Sequence, residues 1–169
     1  MGYGLKTGIW SGKKTLLWRA SDDSPLGRLE EAFDIWEKKV GISFSKCIVA
    51  NTTVDFTVKI GQGQSGWSQT LKQISLKNSG ALGTALHEIG HLLGMSHEHD
   101  RPETRTKFYE PDTAKGGFGL DGAKSREANL QTYGPVDTES IMQYPESSYA
   151  GKAEPSAGDI AAVKAINGL

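Results

Sequence analysis

His87-Glu88-Ile89-Gly90-His91-Leu92-Leu93-Gly94-Met95-Ser96-His97 carries three of the chain's four histidines, and the fourth, His99, follows closely. Leu82, Ala85, Leu86, Ile89 and Leu93 recur at three and four residues, which predicts a helix with one apolar face. On such a helix His87 and His91 stand one turn apart, about 5 to 6 Å from each other, so two imidazoles can converge on one ion. Glu88 points into a neighbouring sector, where its carboxylate can reach water on the metal without ligating the metal itself. For His87 to His91 alone, a helix with two exposed histidines is the competing reading. Gly94 weakens it, because a glycine takes the left-handed backbone freely, ends the helix and turns His97 toward the same ion. Three neutral imidazoles with an open fourth position make a catalytic zinc site, whereas a structural site closes that position with protein.

Outward from this stretch the chain alternates between short strands and helices. Ser11-Gly12-Lys13-Lys14 is a turn signal ahead of a strand at Thr15-Leu16-Leu17-Trp18. A first helix follows, with Ser24 as cap and Pro25 in its first position. Leu26, Leu29, Phe33, Trp36 and Val40 form its apolar face, and Gly41 ends it. Residues 42–48 and 54–60 alternate as strands, residues 61–66 form a glycine-rich loop, and Gln73 to Leu76 is a further short strand. Asn78-Ser79-Gly80 is a turn before the histidine helix. Beyond Gly94, residues 95–135 are polar and broken by Pro102, Pro111, Gly116, Gly117, Gly119, Gly122 and Pro135, which predicts a long irregular stretch. A last helix opens on a capping box of Ser156 and Asp159 and buries Ile160, Val163 and Ile166.

At 169 residues the chain has the size of one domain. Its 21 glycines favour a loop-rich α+β domain over a helical bundle. Nineteen basic against twenty acidic side chains give a net charge of -1, which predicts no nucleic-acid partner. No apolar run approaches the roughly 18 residues of a membrane span, and residues 1–17 lack a signal-peptide pattern. Cys47 stands alone, so an intramolecular disulfide and a cysteine zinc site are both excluded. Its alternating context reads as a strand with a buried structural cysteine rather than a nucleophile. The absence of disulfides fits a bacterial source or a reducing compartment. Residues 61–66 match a dinucleotide fingerprint, but no clear helix opens after them and no acid lies about 20 residues on. Residues 116–121 match a calcium-binding repeat in one copy, where a β-roll needs stacked copies. Asn51-Thr52-Thr53 is a glycosylation acceptor only in a eukaryotic secretory route.

The complete H-E-x-x-H-x-x-G-x-x-H pattern is the zincin signature with its glycine turn, and the chain resembles the metzincins, among them the astacin-like metallopeptidases. Glu98, Arg101 and Pro102 after His97 resemble the astacin extension, and Ser140-Ile141-Met142-Gln143-Tyr144 is similar to the family's Met-turn. Trp10-Ser11-Gly12, Gly66-Trp67-Ser68 and Ser156-Ala157-Gly158-Asp159-Ile160 also sit where astacins carry similar motifs. The chain departs from the pattern at Gly66, where a cysteine is usual. Glu103-Thr104-Arg105 stands in place of an aspartate-rich run, and Gln143 in place of a histidine.

The resemblance implies a metzincin-like α+β catalytic domain over residues 1–169, a twisted mixed sheet with the zinc-binding helix over it. Residues 1–94 would form an N-terminal subdomain, and residues 95–169 an irregular C-terminal subdomain across an active-site cleft. It implies one catalytic Zn2+ held by His87, His91 and His97, with Tyr144 as a further ligand at rest and then as donor to the oxyanion. Met142 would form a floor beneath the zinc, and Glu98 would be a buried carboxylate bonded to the N-terminal segment, the alternative being a solvated acid on a turn. Trp67, Ser68 and Gln69 would belong to a substrate-binding sheet edge, with ordinary packing as the alternative for Trp67. The activity implied is hydrolysis of peptide bonds in extended protein substrates by zinc-bound water, with Glu88 as general base. A monomeric, secreted protein is expected, with a leaderless intracellular protein as alternative. Two other functions compete: a zinc-containing binding module without turnover, which retention of Glu88 disfavours, and a zinc hydrolase of non-peptide amides, which differs only in cleft lining.

Overall fold

The computed structural model describes residues 2–21, 26–61, 63–77, 81–108, 127–144 and 149–169. Strands β2 (Thr15–Ala20), β3 (Ser43–Lys46), β4 (Phe56–Gly61), β5 (Gly66–Ser68) and β6 (Gln73–Lys77) form one sheet in the order β3-β2-β4-β6-β5. Its pairings are parallel except at the edge, where β5 runs antiparallel to β6. Because side chains alternate between faces, Leu16 and Trp18, Phe56 and Val58, and Ile74 and Leu76 are all buried on one side. Helix α1 (Leu29–Val40) brings Leu29, Ala32, Phe33, Trp36 and Val40 into the same core. Phe33 stacks on Phe44 at 4.5 Å and meets Trp18 at 5.3 Å between centroids. Gly41 ends α1 at φ 80°, its N–H returning to Glu37 O, a left-handed cap that glycine adopts without Cβ strain.

Helix α2 (Leu82–Leu92) packs beside α1 and carries the histidine pattern. A second, antiparallel sheet of order β7-β1-β8 lies beyond its C-terminus, built from β1 (Tyr3–Leu5), β7 (Met95–Ser96) and β8 (Leu130–Thr132). Tyr3 pairs with Ser96 and Thr132, and Leu5 with Leu130. Gly4 lies so close to Gly94 and Ile166 that a Cβ would sit 2.6 Å from each, which explains a glycine in the middle of a strand. Helix α3 (Pro102–Phe108) follows the third histidine. The closing helix α4 (Ala157–Asn167) has the expected capping box, with Ser156 and Asp159 bonding reciprocally. No helix among the described residues is long and apolar enough to cross a membrane.

The structure corrects several expectations. The described part of residues 95–135 contains β7, α3, β8 and two 3-10 turns rather than irregular chain. Pro102 acts there as a first-position helix starter, not a breaker. The glycine-rich loop is shorter than expected, since β4 reaches Gly61 and β5 begins at Gly66. Strand β3 stops at Lys46, which leaves Cys47 half-buried beyond it, 3.7 Å from Arg19 Nη2, rather than buried in a strand. The expected cap at Ser24 and Pro25, the turn at residues 78–80 and the glycine run at 116–121 lie outside the described residues.

Candidate active site

Helix α2 is anchored before it presents anything. The last carbonyls of a helix lack intrahelical partners, and here Trp10 Nε1 donates to Leu92 O at 2.7 Å and Asn167 Nδ2 to Leu93 O at 2.9 Å. Gly94 then turns the chain at φ 99°, and a Cβ on it would lie 2.9 Å from Ile166 Cγ2, so conformation and packing both demand glycine. The two-residue strand β7 delivers His97 to face the helix.

The three imidazoles converge. His97 Nε2 lies 3.0 Å from His91 Nε2 and 3.3 Å from His87 Nε2. Behind them, His87 Nδ1 bonds Ile141 O at 2.6 Å and His91 Nδ1 bonds Met95 O at 3.0 Å. A carbonyl only accepts, so both Nδ1 atoms carry the proton, and in the neutral rings both Nε2 atoms present bare lone pairs. Burial, together with the neighbouring His91 and His97, holds His87 well below the ordinary imidazole range, in its neutral form. Lone pairs gathered this closely repel one another unless a cation lies between them. Bonds of about 2.0–2.1 Å in a tetrahedral zinc centre put adjacent donor atoms about 3.3 Å apart. The triad is therefore positioned to bind a metal ion, and its donor set fits zinc. Glu88 is buried at 4% exposure and lines the cleft between the two helix histidines.

Ile141 O belongs to the turn that backs the helix. Ile141 and Met142 are fully buried, and Gly90 has no Cβ because one would sit 2.7 Å from Met142 Sδ. The turn is tied by one carboxylate: Asp159 accepts from Ser140 Oγ, from Ile141 N at 2.9 Å and from Ser156 N at 2.9 Å. Burial nevertheless raises the Asp159 carboxyl above its ordinary range. The capping box legible in the sequence thus also holds the loop that orients His87, a second role that no spacing announces.

Glu98 is wholly buried, so the solvated-acid reading fails. Its Oε2 lies 3.2 Å from Arg101 Nη1 and accepts from Asp137 N at 3.1 Å. Arg101, also buried, donates to Gly2 O at 3.4 Å and to Gly134 O, so Glu98 reaches the N-terminal segment through the guanidinium. Burial pushes the Glu98 carboxyl up to about 7 against the opposing Asp137 N–H and Arg101.

These groups open into a cleft of about 650 Å³. Trp67 and Gln69 of the β5 edge line it, with Trp67 half-buried against Phe56. Ser68 is not among the residues that line it; its hydroxyl accepts from Leu71 N at 3.2 Å. Tyr144 lines the cleft with its ring 5.4 Å from that of His97. Sequence reasoning missed Tyr149, whose ring lies flat on His87 at 4.0 Å and 12°, and His99, which stacks on His97 at 4.8 Å. It also missed Asp100, whose carboxylate lies 3.7 Å from His97 Nδ1 and 3.5 Å from His99 Nε2. The neighbouring Glu98 and Arg101 were the available signal for His99 and Asp100; Tyr149 had none.

A mixed sheet, a histidine helix ended by a glycine turn and a buried Met-turn behind it define a metzincin-like α+β domain. The chain belongs to the astacin family of peptidases, whose model matches residues 9–164. It is similar to astacin-like metalloprotease toxin 1 of Loxosceles intermedia, 42% identical over 64 residues, covering 37% of this chain and 24% of that protein. Astacin-like metalloprotease toxin 5 of Loxosceles gaucho is 37% identical over 95 residues, covering 54% and 48%. The chain thus spans from about a quarter to about half the length of these two relatives. The solved structure of myroilysin shares the fold, with a TM-score of 0.66 and 20% identity over 99% of both chains.

Proposed function

We propose that this chain is a zinc-dependent endopeptidase that holds one catalytic ion between His87, His91 and His97 and uses Glu88 as general base. The observation that carries this reading is the Nε2 spacing of 3.0 and 3.3 Å, with Nδ1 of both helix histidines committed to carbonyls and a buried carboxylate beside them. Bound there, zinc supplies Lewis-acid chemistry, acidifying water to a pKa of about 7 and polarising a carbonyl. Glu88 takes the proton of the attacking water and returns it to the leaving amine, so no covalent enzyme intermediate is needed. Tyr144, beside His97, serves as a further ligand at rest and donates its hydroxyl to the oxygen that gains charge. Gly94 turns His97 into place and Met142 floors the triad.

The cleft runs between residues 1–94 and 95–169, with β1 crossing to the second of these. Substrate lies extended along the β5 edge beside Trp67 and Gln69, pairing backbone to backbone. Among the described lining residues none is a lysine or arginine, and Leu5, Ile9 and Leu130 supply apolar surface. That lining favours apolar or aromatic substrate side chains over acidic ones, which would find no cation to offset desolvation. The protein works outside the cell, as the toxin names of its relatives suggest, and as a monomer.

The test is direct. Purified protein cleaves an unstructured protein and stops with a chelator. Glu88→Ala keeps its zinc while kcat/KM falls by about 10³-fold or more, within the usual range for loss of a general base. Cleavage by that variant at the wild-type rate would falsify the role of Glu88.

A further inference from the structure

We propose that Tyr149 is a positioning residue for the first zinc histidine, its ring setting the plane of the His87 imidazole from a seat that Gly83 leaves open. The proposal rests on the zinc reading above. Gly83 and His87 are four residues apart on α2 and therefore share a face. A Cβ on Gly83 would lie 1.8 Å from Tyr149 O and 2.8 Å from Ala150 O. The 149–150 backbone thus presses against the helix at Gly83, a point of that face without a side chain. Lys152 N donates to Tyr149 O at 2.9 Å and closes the turn behind it. From this seat the Tyr149 ring extends one helical turn and covers His87 at 4.0 Å and 12°, itself only 5% exposed.

Beside a looser stacking on His97 at 5.2 Å and 23°, two restraints on His87 are then nearly orthogonal. The bond from Nδ1 to Ile141 O selects the tautomer and aims Nε2, but a single hydrogen bond leaves the ring free to rock about its own axis. A flat aromatic neighbour removes that freedom, since rocking drives the imidazole edge into the stacked ring. Within the triad the ring of His91 meets its neighbours differently, His87 at 87° and His97 at 77°, edge-on in both cases. Groups that orient a ligand without touching the metal govern how tightly the metal is held.

The experiment uses zinc-loaded protein and measures the rate at which zinc passes to a chromogenic chelator, with the visible spectrum of the cobalt-substituted protein alongside. Tyr149→Phe keeps the ring and releases zinc within about twofold of wild type, whereas Tyr149→Met keeps the bulk without the plane and releases it about tenfold faster. The cobalt bands shift in Tyr149→Met and hold in Tyr149→Phe. Gly83→Ala pushes the 149–150 backbone away with Tyr149 intact, speeds release in the same direction, and decides the matter if Tyr149→Met does not fold. Wild-type release from both Tyr149→Met and Gly83→Ala overturns the proposal. So does Tyr149→Phe releasing as fast as Tyr149→Met, which would place the effect in the hydroxyl. A wild-type protein that holds no zinc overturns the underlying reading instead, and is recognised before any variant is made.

Discussion

Helix α2 and the segment around Glu98 and Arg101 lie on either side of His97 in sequence and are held by opposite means. In α2 every residue except Leu82 and His91 is buried, and packing against α1, strands β5, β6 and β7 and the Met-turn fixes it. Around Glu98 the fixing groups are charged or polar: a fully buried Glu98–Arg101 pair, with further bonds to Gly2 O, Gly134 O and Asp137 N. Apolar packing is tolerant, because a lost methylene costs its own burial and a small cavity. A buried ion pair is intolerant, because removing one member strands the other charge.

The largest effect should come from the polar side. At a pH well above 7, where the Glu98 carboxyl is ionised, Arg101→Met is expected to cost about 3–5 kcal/mol of stability, since Glu98 is left buried without its cation. The double variant Glu98→Gln/Arg101→Met should recover part of that loss, because the stranded charge is gone. Urea unfolding with m unchanged measures both. Equal stability of single and double variants would mean that the guanidinium acts through its carbonyl contacts alone.

The apolar side should respond far less. Ile89→Val removes one buried methyl from the centre of α2, where Ile89 is fully buried. It is expected to cost about 0.5–1.5 kcal/mol while leaving zinc release at the wild-type rate. A loss as large as that of Arg101→Met would erase the contrast between the two regions.

The same contrast governs what could be read before the structure. Helices α1, α2 and α4 and strands β2, β4 and β6 announce themselves because each carries its own period of three to four or of two. The histidines and Gly94 were legible because the helix and its exit turn are local geometry. The polar side has no such period. Strands β1, β7 and β8 are three, two and three residues long, too short for alternation, and are strands only because segments far apart in sequence meet. Arg101 reaches Gly2 across 99 residues and Ile141 reaches Asp159 across 18. Which of Trp67, Ser68 and Gln69 lines the cleft depends on how the chain leaves β5, which spacing leaves open: Trp67 and Gln69 line it, and the Ser68 hydroxyl bonds Leu71 N. Tyr149 reaches His87 only because Gly83 lacks a side chain, a match between two segments that neither reveals alone.

Asp159 is where the two modes meet, since it caps α4 and ties the Met-turn behind α2, and its titration separates them. Burial raises its folded carboxyl pKa, while bonds from Ser140, Ile141 and Ser156 pull the other way without prevailing. A carboxyl whose folded pKa exceeds its unfolded value, here about 3.8, binds its proton more tightly when folded. Its contribution to stability is then fully present below the unfolded value and is lost as pH rises through the folded one. Asp159→Asn cannot titrate, so the difference in unfolding free energy between wild type and variant isolates this one group from every other carboxyl. Wild type should lose ground to Asp159→Asn as pH climbs from about 4 through the raised folded pKa, and the difference should level off above it. Any constant offset reports the hydrogen bonds that an amide cannot reproduce. A difference that moves the other way, with wild type gaining as pH rises, would mean that the three donors outweigh desolvation, and that the Met-turn is held by an ionised carboxylate at a cost its hydrogen bonds fully offset.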